Sequence, residues 1–385
     1  MKLKYAFLFF AMMFFQSTIA TAQYDSISVD GITRTYLLHL PTNYNTSEPA
    51  PLIIAMHGGF GSATNAQNQT QLSVKADEED FIVVYPEGVK GGFLNIRTWN
   101  AGECCGYASN TNIDDVGFID QLLDSLLVEY AIDETRIYAT GLSNGGFMSY
   151  RLACELSDRI AAIAPVAASS TVPLCNPERP VPIIQFHSYL DFNVPYEGGV
   201  GNGVSTHYNP PHDSIHDLWS NLNNCNSQRD TILSNNEYTY IRWADCDCGT
   251  EIEYYITEDG GHSWPQGNST TTGDPTSEYI NASDLMWEFF EQHTLECNTT
   301  SIWSQETAIR NDLLAIWPNP STGLFTLDWK TDSEIIELHI YDSNGTKLEI
   351  GITNNELDLR RFPKGHYHLD AILKEGRVAK KLLVK

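Results

Sequence analysis

Arg136-Ile137-Tyr138-Ala139-Thr140-Gly141-Leu142-Ser143-Asn144-Gly145 decides the reading of this chain. Arg136 to Thr140 is a short strand candidate, and Gly145 to Leu156 has the amphipathic spacing of a helix. Between them stands a G-x-S-x-G turn, and this strand–turn–helix context gives the pattern its meaning. Glycines on both sides let the backbone pass through a tight turn. Ser143 Oγ is then expected to stand clear of a sheet, at a helix N-terminus that favours developing negative charge.

The flanking sequence supplies the sheet. Pro51 to His57 is an apolar run ending in Gly58-Gly59, and Phe81 to Tyr85 is another, stopped by Pro86. Ile160 to Ala167 and Val181 to Phe186 read as buried strands. Asp114 to Tyr130 has helical spacing, with Val116, Ile119, Leu122, Leu123, Leu126 and Leu127 on one face. Asp114 and Asp115 suit that helix's N-terminus electrostatically, so capping reads better for them than a catalytic role. Asp284 to His293 reads as a closing helix. Such alternation predicts a mostly parallel sheet covered by helices on both faces.

A serine at its ordinary pKa is a weak nucleophile and needs a base. His262, in Asp259-Gly260-Gly261-His262-Ser263-Trp264-Pro265, follows an apolar strand in a glycine-rich loop and is the candidate. His187 ends a strand, while His207, His212 and His216 stand in polar context. The imidazole needs a carboxylate to fix its tautomer, and Asp191 follows the strand Val181 to Phe186. The order Ser143, Asp191, His262 is that of α/β-hydrolases. An oxyanion hole needs two backbone N–H groups. Asn144, directly after the serine, and Gly59, after the strand Pro51 to His57, are expected to supply them.

Composition excludes other classes. The 385 residues carry a formal net charge of -26, so the chain would repel the phosphates of nucleic acid or of an anionic membrane. Lys2, Lys4 and the apolar run Tyr5 to Phe15, followed by small Ala20 and Ala22, read as a secretory signal over residues 1–22. No later segment has membrane-spanning length. The eight cysteines then read as disulfides, with 105 pairings open. Cys104-Cys105 and Cys246-Asp247-Cys248 stand too close to pair comfortably within themselves. No second Cys/His pair has zinc-ligand spacing, so no metal is expected.

Residues 315–385 hold ten basic and ten acidic residues, whereas the stretch between them and the signal holds 11 and 39, and all eight cysteines. A main unit over 23–297, a linker over 298–314 and a small all-β unit over 315–385 are expected, the last from strand-like runs such as Ile336 to Tyr341 between turns at Ser343-Asn344-Gly345 and Pro363-Lys364-Gly365.

Six stretches together resemble the secreted esterase family that joins feruloyl esterases with polyhydroxybutyrate depolymerases. They are Arg34 to Pro41, His57-Gly58-Gly59, Trp99 to Gly106, Asp114 to Phe118, Gly141 to Gly145, and Gly260 to Pro265. The resemblance implies an α/β-hydrolase fold, the triad Ser143, Asp191 and His262, and ester hydrolysis without a cofactor. The substrate would be an ester on plant polysaccharide or a polyester. The depolymerase branch usually has cysteine where Gly59 stands, which leans away from depolymerases; a feruloyl esterase is expected, with a polyhydroxybutyrate depolymerase, an acetylxylan esterase or a non-catalytic surface polysaccharide-binding protein as alternatives. Trp99, Tyr196 and Trp264 are expected to offer an aromatic surface to substrate. Trp317-Pro318-Asn319-Pro320-Ser321-Thr322-Gly323 and the end Gly376 to Lys385 resemble a type IX secretion sorting domain, here expected to be a small β-sandwich. That implies the type IX machinery as partner and an extracellular or surface-anchored product.

Overall fold

The computed structural model describes residues 22–202, 207–226, 229–268, 274–297, 313–330, 335–342, 347–348, 350, 355–373 and 376–385. They form two compact units, divided between Cys297 and Asn298. The expected signal, apart from Ala22, and most of the expected linker lie outside the described residues.

In the first unit the elements run β1 (Gln23–Val29), β2 (Ile32–His39), β3 (Ala50–Met56), α1 (Ala63–Thr70), α2 (Leu72–Glu79), β4 (Ile82–Pro86), β5 (Val89–Gly91), β6 (Ile96–Thr98), α3 (Gly106–Asn110) and α4 (Asp115–Glu129). They continue with β7 (Ile132–Leu142), α5 (Asn144–Glu155), β8 (Ala162–Val166), β9 (Ile183–Ser188), α6 (His212–Leu222), β10 (Asp230–Ser234), β11 (Tyr238–Trp243), β12 (Ile252–Thr257) and α7 (Ala282–Phe290).

Ten strands form one sheet in the order β1-β2-β4-β3-β7-β8-β9-β12-β11-β10. From β4 to β12 every neighbouring pair is parallel. The two strands at each edge pair antiparallel. The central strands are apolar throughout because both faces are covered. Along β3, Leu52, Ile54 and Met56 enter one core and Ile53 and Ala55 the other, as strand alternation requires. The first core takes its helical side chains from α4, α5 and α6, the second from α1, α2 and α7. On α4, Ile119, Leu122, Leu123 and Leu126 are all buried. Each contributes about 1.5–3 kcal/mol relative to exposure. This is an α/β-hydrolase arrangement, as the order of the site residues implied.

Four disulfides close the unit. Cys154–Cys175, Cys225–Cys246 and Cys248–Cys297 join distant residues. Cys104 and Cys105 are bonded to each other, contrary to the expectation of distant partners; the peptide between them is cis and their Cα atoms are 3.1 Å apart.

The second unit contains β13 (Leu314–Trp317), β14 (Leu324–Trp329), β15 (Ile335–Asp342), β16 (Glu356–Asp358), β17 (Gly365–Leu373) and β18 (Gly376–Val384). Two three-stranded antiparallel sheets, β13-β14-β16 and β15-β17-β18, share one core around Phe325, Leu327, Ile340, Leu357, Leu369 and Leu382. This is a small β-sandwich. Among the described residues no helix is long and apolar enough to cross a membrane.

Candidate active site

Ser143, Asp191 and His262 all follow the carboxyl ends of parallel strands, β7, β9 and β12 respectively. Parallel sheets gather ligand-facing loops along that edge.

Ser143 sits between β7 and α5 with φ 53° and ψ −123°. A left-handed φ is strained for a side chain and costs about 1–3 kcal/mol. Its N–H donates to Val166 O at 2.9 Å, and its carbonyl accepts from Phe147 N at 2.9 Å. The flanking glycines are sterically required, since a Cβ on Gly141 would lie 2.6 Å from Met56 O. The next residue, Asn144, opens α5, where backbone N–H groups have no partner within the helix.

The loop after β3 lies against this turn. A Cβ on Gly58 would stand 3.3 Å from Leu142 O and 3.5 Å from Ser143 Cβ. Around Gly59, by contrast, nothing beyond its two chain neighbours lies within 4 Å of where a Cβ would be. His57 holds the loop from beneath. Its ring is buried, with Nδ1 donating to Gly58 O at 2.7 Å and Nε2 accepting from Gly88 N at 3.0 Å. Burial lowers its pKa to about 4, so it stays neutral and serves as a fixed anchor.

His262 Nδ1 is 2.8 Å from Asp191 Oδ2. Asp191 is buried, and its Oδ1 accepts from the N–H groups of Asn193 and Val194 at 2.9 Å each. Burial pushes the carboxyl pKa up, but the charge and hydrogen bond of His262 with the backbone donors outweigh it and hold the group below its ordinary value. A charged acceptor at Nδ1 puts the neutral ring's proton there and leaves Nε2 basic. The His262 backbone is clamped as well: its N–H donates to Asp274 Oδ2 at 2.7 Å. A Cβ on Gly261 would collide with that carboxylate.

The other histidines are differently engaged. His187 Nε2 donates to Val194 O at 2.9 Å, and His212 and His216 both bond the buried Gln185. Burial drives their pKa values far down, to about 3 for His187 and His216.

The three aromatics expected on a substrate surface do not form one. Trp99 is fully buried, and its indole N–H donates to His57 O at 3.0 Å. Trp264 is fully buried in the second core, donating to Ser283 Oγ at 3.0 Å. Tyr196 is half-buried; its ring stacks on His212 and Tyr254, and its hydroxyl donates to Asp213 at 3.1 Å. The large apolar ring gains by burial, and each buried indole N–H has an acceptor that removes the cost of burying it. The exposed apolar side chains nearest the site in sequence are instead Phe60, beside Gly59, and Leu190 and Phe192, either side of Asp191.

The two acidic neighbours diverge. Asp114 caps α4, accepting from Gly117 N at 2.8 Å. Asp115 turns inward, fully buried, and bonds Arg34 at 2.6 Å. Nothing in the sequence pairs these two, 81 positions apart. Asp274 was equally invisible.

Residues 34–174 match the family described as Esterase PHB depolymerase, and residues 315–385 match the secretion system C-terminal sorting domain. The esterase match covers less than half of the chain, while residues 315–385 are a sorting domain that marks the protein for secretion. The chain is 29% identical over 271 residues to feruloyl esterase B of Piromyces equi, covering 68% of this chain and 46% of that protein. It is 28% identical over 264 residues to a bifunctional acetylxylan esterase/xylanase of Neocallimastix patriciarum, covering 67% of this chain and 33% of that one. The chain therefore spans less than half the length of these two relatives. An acetyl xylan esterase structure from Aspergillus awamori aligns with a TM-score of 0.49 at 13% identity, over 70% of this chain and 99% of that one.

Proposed function

We propose that this protein is a secreted serine carboxylic ester hydrolase that releases hydroxycinnamic acids from plant cell-wall polysaccharide, a feruloyl esterase. One observation carries the reading: a carboxylate-bound histidine and a serine in a left-handed turn share one sheet edge. Ser143 Oγ attacks the ester carbonyl while His262 Nε2 takes its proton. Asp191 keeps the resulting imidazolium oriented. The Asn144 and Gly59 N–H groups receive the charge that develops on the carbonyl oxygen. The tetrahedral intermediate collapses, His262 protonates the leaving alcohol, and the acyl group stays on Ser143. Water, deprotonated by His262, then attacks that ester and frees the acid. No step requires a cofactor.

The acyl group is inferred from two supports. Relatives bearing the name feruloyl esterase align over about two thirds of the chain. Phe60, Leu190 and Phe192 are exposed beside the oxyanion loop and the acid, where an aromatic acyl group would find apolar surface. The tail would hand the protein to type IX secretion machinery.

The test is a substrate panel with the mature protein: methyl ferulate, acetylated xylan and polyhydroxybutyrate, each with Ser143→Ala alongside. Ferulate release that vanishes in the variant is expected. Acetate or hydroxybutyrate release without ferulate would move the assignment to an acetylxylan esterase or a depolymerase. Inertness toward every ester and toward fluorophosphonate labelling would leave a polysaccharide-binding protein.

A further inference from the structure

The four residues Arg97 to Asn100 are tied to both halves of the oxyanion hole. On one side Arg97 O accepts from Phe60 N at 3.0 Å, and the Trp99 indole donates to His57 O at 3.0 Å. These bonds hold the loop carrying Gly59. On the other side the Asn144 side chain grips Trp99 twice: Trp99 N donates to Asn144 Oδ1 at 2.7 Å, and Asn144 Nδ2 donates to Trp99 O at 3.0 Å. That pair copies the two-bond exchange of a strand ladder. Asn144 thus presents its backbone N–H at the helix start while its side chain latches the turn to a separate segment.

The segment has its own anchor. Asn100 N donates to Asp115 Oδ2 at 2.7 Å, and Asp115 Oδ1 bonds Arg34 at 2.6 Å, both carboxylate and guanidinium being buried. Arg151 donates to Asn100 O at 2.6 Å, and the Asn100 side chain donates to Ile113 O at 2.8 Å. Cys105 N, from the adjacent-cysteine turn, donates to Trp99 O at 3.0 Å. A segment so fully bonded behaves as a rigid spacer.

We propose that Arg97–Asn100 is a strap that fixes the separation of the two oxyanion donors, and that Asp115 and the Asn144 side chain are positioning residues acting through it. The inference rests on the esterase reading above. Donor placement matters because an oxyanion N–H must meet the transition-state oxygen, and removing one such donor costs about 10²–10³ in rate. A misplacement of about 1 Å has effects of similar order.

The experiment uses the full chain with Asn144→Ala, which keeps the backbone N–H and loses the latch, with Asp115→Asn, and with the double variant. Active sites are counted by complete fluorophosphonate titration, so that rates refer to competent protein. On a soluble ester we expect kcat per titrated site to fall about 10- to 100-fold in Asn144→Ala, with KM within about twofold. A boronic acid that mimics the tetrahedral intermediate should lose affinity by the same factor. Because both side chains act through one strap, the double variant should lose little more than the worse single one. A merely structural role would lower the count of sites and the melting temperature while leaving kcat per site and boronate affinity intact. That result overturns the proposal, as would additive losses in the double variant. If Asp115→Asn does not fold, Asn144→Ala decides alone through its kcat and boronate affinity. Failure of the wild-type chain to hydrolyse any ester would instead sink the esterase reading itself.

Discussion

His262 Nδ1 lies 2.8 Å from Asp191 Oδ2, although 71 residues separate them in the chain. The contact depends on β9 and β12 running parallel side by side, so that the loops after them emerge together. Asp191→Asn keeps Oδ1, and with it the acceptor of Asn193 and Val194, so the loop should hold its shape. The new amide, however, donates toward Nδ1 and drives the ring proton onto Nε2. We expect kcat to fall on the order of 10⁴ with a nearly unchanged circular dichroism spectrum. A loss of less than tenfold would contradict this role for Asp191.

Ser143, the proposed nucleophile, has a left-handed backbone. Ser143→Ala should lower kcat by on the order of 10⁶. Ser143→Gly should be equally inactive yet more stable, by about 1 kcal/mol, because glycine adopts a positive φ without strain. Thermal melting checks this; a lower melting temperature for the glycine variant would show that the turn is unstrained.

Acid should weaken the fold before it titrates most surface carboxylates. His57, His187 and His216 are buried and neutral, with pKa values lowered by burial to about 4, 3 and 3. Unfolded histidine titrates near 6.5. Below that pH the unfolded chain takes up protons that the folded chain refuses. Their contribution is therefore complete above pH 6.5 and is lost as pH falls toward 3–4. Melting temperature measured from pH 7 down to pH 4.5 should decline steadily. A flat or rising profile would mean these rings are not held neutral.

Asp114 and Asp115 are adjacent but should behave differently. Asp114→Ala removes a helix cap and should cost about 1 kcal/mol of stability with kcat unchanged. Urea unfolding together with ester turnover separates the two effects; a fall in kcat for Asp114→Ala would place this residue, too, in the catalytic apparatus.

The Cys248–Cys297 bridge spans 49 positions. Replacing both cysteines by serine should cost roughly 2–4 kcal/mol, mostly by freeing the unfolded chain. Denaturant midpoints measure it, and an unchanged midpoint would show that the loop is already constrained without the bond.

The parts of this fold legible in sequence were those whose physics is local. β3, β4, β8 and β9 announce themselves because strands covered on both faces read as unbroken apolar runs. The edge strands β1, β2, β10 and β11 mix polar and apolar residues and gave no such sign; β10 is exposed along its whole length. Ser143 was legible because glycines 141 and 145 mark a turn that only they permit. Asp274 and the Arg34–Asp115 pair were not, since their meaning is a contact across distant chain segments. Trp99 and Trp264 are misplaced by the sequence reading because an indole near a motif can serve either a surface or a core, and the apolar packing that decides it comes from distant chain segments. The pairing of Cys104 with Cys105 depends on a backbone geometry that residue spacing does not reveal.

The empty space beside Gly59 has an engineering consequence. Beyond its two chain neighbours, no heavy atom among the described residues stands within 4 Å of where a side chain would begin, and the residue needs no special backbone angle. A methyl group placed there requires no repacking of the protein. Position 59 can therefore be varied to probe selectivity without disturbing the scaffold.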